Sequence, residues 1–313
     1  MKTLLCFLGT VLLIGVIAFF SLKPDTPDQK IKRDALKAIA LVRSQPLHRI
    51  RATIRPNFVD LNQQDVVEHD TLFDFVAPDV IAHLEKMLDD PDVNTVTDVA
   101  RTLGVIDPNN PLPLQKLVAL LDTHPEDKTW IIHAIGRFGP RARDAVPRLL
   151  PYLKADDDMT LYYTAQTLSY IGPDSHIAVP DLIALLSHKD DGVIVHVAQC
   201  FGAIGEKSND AVPTLIDRYA SSKNGAKIAI IQALGRIRIK RELIVRFFDR
   251  ILADTKADPS ELSMTLYNLP QLGIEEDPVL ENVVKLSHHR NPDVLRAANW
   301  VLERTKQPKA AVQ

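Results

Sequence analysis

Catalysis and metal binding need particular side chains at particular spacings, and this sequence offers few of them. Its ten histidines include no H-x-x-H and no HExxH, and neither cysteine sits in a C-x-x-C, so no zinc pattern is present. His288 and His289 are adjacent and point to different sides of a helix. Two cysteines, Cys6 and Cys200, cannot build a disulfide framework. Cys200 shares a column with Ala134, Thr167 and Ala233, where a small residue packs on a neighbour; a reactive thiol is the alternative. Acids cluster at Glu126-Asp127, Asp156-Asp157-Asp158 and Asp190-Asp191 and could hold a cation. Asp90-Pro91, Asp258-Pro259 and Asn291-Pro292 favour a plainer reading, because a capping side chain followed by Pro starts a helix. The glycines recur at a fixed spacing and form no phosphate loop.

One constellation rises above this background. His133, Gln166, Gln199 and Gln232 fall in one column. One helical turn earlier stand Trp130, Tyr163, His196 and Ala229; one turn later stand Arg137, Tyr170, Ala203 and Arg236. Amides, aromatics and arginines without acids suit a groove for an extended peptide. The alternative is a ladder of glutamines bonding one another, with half-buried aromatics beside it.

These columns require a repeated element, and the sequence supplies it. Ala-Val-Pro occurs at 145–147, 178–180 and 211–213, a period of 33 residues. Val146, Val179, Val212 and Val245 share its phase, as do Leu149, Leu182, Leu215 and Phe248. Gly136, Ser169, Gly202 and Gly235 form a column of small residues, and Gly139, Gly172 and Gly205 another. Within one unit, Val146, Leu149, Leu150 and Leu153 mark one face of a first helix, with Pro147 in its first turn. Leu161, Thr164, Leu168 and Ile171 mark a second helix, and Gly172 suits a left-handed cap at its end. Such a period is the signature of a solenoid whose units bury apolar faces only against their neighbours.

Paired helices of this length, with Ala198-Gln-Cys-Phe-Gly-Ala-Ile-Gly205 and Ile231-Gln-Ala-Leu-Gly-Arg-Ile237 closing second helices, resemble HEAT repeats of the short bacterial type. The resemblance implies an all-α, right-handed solenoid of about seven helix pairs over residues 77–305; by its terminal position the 306–313 segment is expected to be a disordered tail. Second helices are expected near 93–106, 127–139, 159–171, 192–204, 225–237, 260–273 and 292–304. The resemblance also implies that second helices line a concave surface. That puts Trp130, His133, Arg137, Tyr163, Gln166, Tyr170, His196, Gln199, Gln232 and Arg236 on a partner-binding strip. Deoxyhypusine hydroxylase, a relative of this fold, needs repeated His-Glu dipeptides, and this chain has only the reversed Glu68-His69. HEAT-like DNA glycosylases need a basic channel, whereas the repeat region here is acidic overall. The expected role is therefore a non-catalytic scaffold for a protein or peptide partner, without cofactor or metal. An enzyme of the bilin lyase class is the alternative.

The N-terminal quarter differs from the rest. Residues 3–22 carry no charge, and twenty residues of helix span about 30 Å, the thickness of a bilayer core. Residues 1–22 are expected to form a single-pass anchor, or alternatively a cleaved signal peptide, although Phe19 and Phe20 spoil the small-residue cleavage pattern. Residues 23–76 comprise a linker and a basic segment. Lys30 to Arg55 hold eight Lys/Arg against Asp34 alone, a charge of +7 in a chain of net −3, which leaves the remainder at −10. Ile31, Ala35, Ile39 and Val42 form a helical stripe there. The helix either meets anionic lipid head groups or caps the repeats with a solvated basic face. With no basic excess overall, a nucleic-acid partner is not expected.

Overall fold

A computed structural model describes residues 26–44, 76–274 and 278–306. The expected span at 3–22, most of the 46–76 stretch and the 307–313 tail lie outside them. Among the described residues the secondary structure is helical throughout, and no helix is long and apolar enough to cross a membrane. The chain divides into two compact units, residues 1–113 and 114–313.

In the first unit, helix α1 (Pro27–Ser44) packs on α2 (Pro78–Met87) and α3 (Val93–Ile106). Ala35, Ala38, Ile39 and Val42 are buried, while Lys30, Lys32, Arg33 and Lys37 stay exposed. The apolar stripe is thus used in packing, and the basic face points to solvent. Ile31, expected in the stripe, is only half-buried. Asp92 caps α3, accepting from the amides of Asn94 and Thr95. This corrects the expectation from Asp90-Pro91: Asp90 instead accepts from the Asp92 amide at 2.9 Å, which sets the turn before the cap.

The second unit holds six helix pairs: α4 (Leu112–Thr123) with α5 (Lys128–Gly136), α6 (Val146–Leu149) with α7 (Asp158–Ile171), and α8 (Val179–Leu185) with α9 (Asp191–Ile204). Then come α10 (Val212–Tyr219) with α11 (Asn224–Ile237), α12 (Arg241–Ala253) with α13 (Pro259–Asn268), and α14 (Leu280–Leu286) with α15 (Pro292–Lys306). The second helices match the expected spans closely. The periodic columns are its core: Leu149, Leu182, Leu215 and Phe248 are wholly buried, and Cys200 is buried among them.

Sequence periodicity misses the links between pairs. Gly139–Ala145, Gly172–Ala178 and Gly205–Ala211 are seven-residue 3₁₀ segments, each ending on the Ala of Ala-Val-Pro. Ser175 Oγ donates to the Leu168 carbonyl and Ser208 Oγ to that of Phe201, both at 2.9 Å. Each buried hydroxyl adds a second hydrogen bond to a carbonyl that already accepts from the cap amide of Gly172 or Gly205. Gly172 has positive φ as expected, but with ψ −136° it lies outside the left-handed helical well, in a region open to Gly alone. Pro151 breaks α6 after one turn, and the chain continues as the 3₁₀ segment Leu150–Lys154.

The acidic turns act as caps. Asp157, Asp190, Asp258 and Asn291 accept from backbone amides two or three residues on, at 2.6–2.9 Å for the shortest bond of each. Glu126-Asp127 is the exception: Asp127 makes no capping bond, and the pair forms a 3₁₀ turn, Pro125–Asp127, entered from His124.

Candidate functional site: the strip along the second helices

Counting from the cap of each second helix puts the strip on one register. The origins of the count are His124, which enters the 3₁₀ turn ahead of α5, and the caps Asp157, Asp190, Lys223, Asp258 and Asn291. Six residues on stand Trp130, Tyr163, His196, Ala229, Met264 and Ala297. Nine on stand His133, Gln166, Gln199, Gln232, Tyr267 and Trp300, and thirteen on Arg137, Tyr170, Ala203, Arg236, Gln271 and Arg304. No position in these three rows is acidic. The fixed period of 33 finds only the first four helices, because α12 lengthens its repeat and moves the next cap by two residues. Tyr267, Trp300 and Arg304 were therefore missed; the Asp258-Pro259 signal, used as the origin of the count, locates them.

At one end the side chains form a connected aromatic cluster. The ring centroids of Trp130 and Tyr163 lie 6.1 Å apart, those of His133 and Tyr163 5.0 Å, and those of Tyr162 and His196 3.8 Å. Trp130 keeps 58% of its surface exposed, whereas His133, Tyr163, Gln166, Tyr170 and His196 are half-buried. Burial holds the His196 imidazole below its ordinary value, despite a hydrogen bond with Gln199, and its Nδ1 has no partner. Part of the strip therefore packs on itself. The glutamines do not: among the described residues none bonds to another glutamine. Gln232 donates to Met264 Sδ at 3.4 Å, and Gln199 is exposed.

At the other end, Tyr267 meets Trp300 edge-on at 5.4 Å, and the Arg304 guanidinium lies 4.3 Å from the centre of the Trp300 ring. Arg236 is exposed.

Among the described residues no group of three His, Cys, Asp or Glu is placed to hold a metal ion. Burial pushes the Cys200 thiol far above its ordinary range, so it is held as the unreactive thiol.

A family model for HEAT repeats matches residues 114–199 and 146–235. Residues 114–235 are HEAT-like repeats. No curated protein matches the sequence. Among solved structures, the complex of CpcE and CpcF of phycocyanin lyase from Nostoc sp. is 18% identical, with 80% of this chain and 100% of that one covered and a TM-score of 0.44. An engineered protein is 17% identical over 72% of this chain and 98% of its own, at a TM-score of 0.42. Computationally designed armadillo repeat proteins for modular peptide recognition are 16% identical over 72% and 99%, at 0.41. Scores this low carry nothing about what the HEAT-like repeats bind.

Proposed function

We propose that the second unit is a non-catalytic scaffold that holds an extended segment of a protein partner along the strip. The observation that carries this reading is the register itself. Three rows on six successive helices bring exposed Trp130, Gln199, Arg236 and Tyr267 into line with no acid among them. The packing supports it. Each second helix packs directly on the next, while α6 and α8 meet chiefly the 3₁₀ segments and α10 meets chiefly its own partner α11. This direct packing favours the reading that the strip lies on the inner, more closely spaced side of the stack. Aromatics dominate interface energetics, and Trp130 is the anchor best placed to be reached.

The test is capture by the full-length protein with identification by mass spectrometry, repeated with Trp130→Ala, Gln199→Ala, Arg236→Ala combined. A partner lost by the variant while its melting temperature holds supports the groove. A partner retained at equal strength moves binding elsewhere, with the exposed basic face of α1 as the next surface to test. A chromophore retained or transferred by the protein would point instead to the bilin lyase class.

We also propose that the charge-free residues 3–22 tether the protein to a membrane. Full-length protein should then resist an alkaline carbonate wash. A soluble mature form beginning near residue 22 would replace the anchor with a cleaved signal peptide.

A further inference from the structure

The C-terminal end of the strip has a chemistry that the sequence period hid. Two arginines, Arg236 and Arg304, stand in the same row two helices apart, and neither has a carboxylate partner among the described residues. The Arg304 guanidinium lies over the Trp300 ring, a cation–π contact that holds it beside the strip while the side chain stays exposed, and its planar N–H donors form a fork. Such a fork matches a carboxylate in two hydrogen bonds. Tyr267 and Trp300 beside it offer apolar surface, and Gln232 offers an amide. The nearest acid on α15, Glu303, occupies the row of Gly202 and Gly235. That row faces the following repeat, so Glu303 points off the end of the stack and leaves the arginines unneutralised.

We propose that this end of the strip selects an acidic extended peptide, with two carboxylates seated on Arg236 and Arg304 and an apolar side chain between them on Tyr267 and Trp300. The proposal rests on the groove reading above and names the chemistry of its occupant. Charge complementarity sets the occupant's class, and geometry sets its spacing. Packed helices lie about 8–10 Å apart, so two steps along the stack cover about 18 Å. An extended chain advances about 3.3 Å per residue, which puts the two acids five or six positions apart.

The chain's only two tryptophans, Trp130 and Trp300, lie at opposite ends of the strip, so Trp130→Phe leaves Trp300 as the reporter of this site. The full-length protein with that change is titrated with a dodecapeptide carrying two glutamates six positions apart around a central leucine. Its glutamine twin and its lysine twin are titrated in parallel. The glutamate peptide should change Trp300 emission, bind at least about tenfold more tightly than the glutamine twin, and weaken as salt rises. Arg236→Gln with Arg304→Gln should abolish that preference without moving the melting temperature. Equal binding of the glutamate and glutamine peptides, or tighter binding of the lysine peptide, overturns the proposal. So does binding that survives both arginine changes, which would place the acid site elsewhere. If no peptide binds while the Trp130/Gln199/Arg236 variant still loses its captured partner, the acidic occupant is wrong and the groove stands. If that capture is also unaffected, the groove reading itself fails.

Discussion

Each second helix in the repeat unit presents two faces that follow opposite rules. Toward the next repeat, the rows stay small over the first four repeats: a Cβ at Gly136 would fall 2.6 Å from Thr167 Oγ1, and one at Gly202 would fall 3.2 Å from the Ala233 Cα. Along the strip, the same register carries Trp130, Tyr163, His196 and Ala229 in a single row, with no rule of size or polarity. Packing tolerates little variation, because a methyl group too many displaces a neighbouring backbone. A surface that recognises a partner needs variation from repeat to repeat. The uniform rows therefore report the fold, and the irregular ones are where a recognition surface can be built.

That contrast can be tested by substitution, beginning where the effect is largest. Gly202→Leu drives side-chain atoms into Ala233 and Arg236 and should cost about 2–3 kcal/mol. Because coupling in a solenoid is between neighbours, hydrogen exchange should rise chiefly in α7, α9 and α11. An unchanged denaturation midpoint would mean the row does not face a helix. Gly205 separates crowding from conformation: its φ is +72° and nothing lies within 4 Å of an added Cβ. Gly205→Ala should therefore lose only the strain term, about 1–3 kcal/mol because ψ −136° lies outside the left-handed well, measurable by urea denaturation. Trp130→Ala removes one ring contact from an exposed side chain and should cost about 1 kcal/mol or less, while weakening partner capture severely. A large fall in melting temperature with capture intact would make the aromatic end of the strip part of the packing.

The smallest effect is in a cap. Donation by the Ser260 amide and hydroxyl holds the Asp258 carboxyl below its ordinary value of 3.8. A carboxylate whose folded-state value is depressed stabilises the fold above that ordinary value and loses its contribution as pH falls below it. Asp258→Asn should be nearly neutral at pH about 7, because Asn caps a helix as well as Asp does. The variant should lose less stability than the wild type between pH about 4 and about 2, which thermal melts would show.

The same contrast explains what was legible in the sequence. Val212, Leu215 and Phe248 keep phase because each must fill the same hole, so the second helices and the buried columns could be read directly. The 3₁₀ links could not, because Ser175 and Ser208 look like ordinary loop residues until their hydroxyls are seen on Leu168 and Phe201. Four of the strip's six helices were legible and two were not, and the cause is local. The longer α12 shifts the register by two residues, and at that junction buried Glu261 bonds Tyr219 and lies 3.2 Å from Lys227. A carboxylate buried on three helices is fixed by tertiary packing, and no short-range spacing announces it.

Cys200 has one more use. Its sulfur is sealed between α9 and its neighbours in the middle of the array, and a thiol held protonated cannot be alkylated until the repeats part. The rate at which a small alkylating reagent modifies it is then a clock for the opening of the central repeats. It needs no engineered label, and it can be read with and without a bound peptide to learn whether occupancy of the strip zips the array shut.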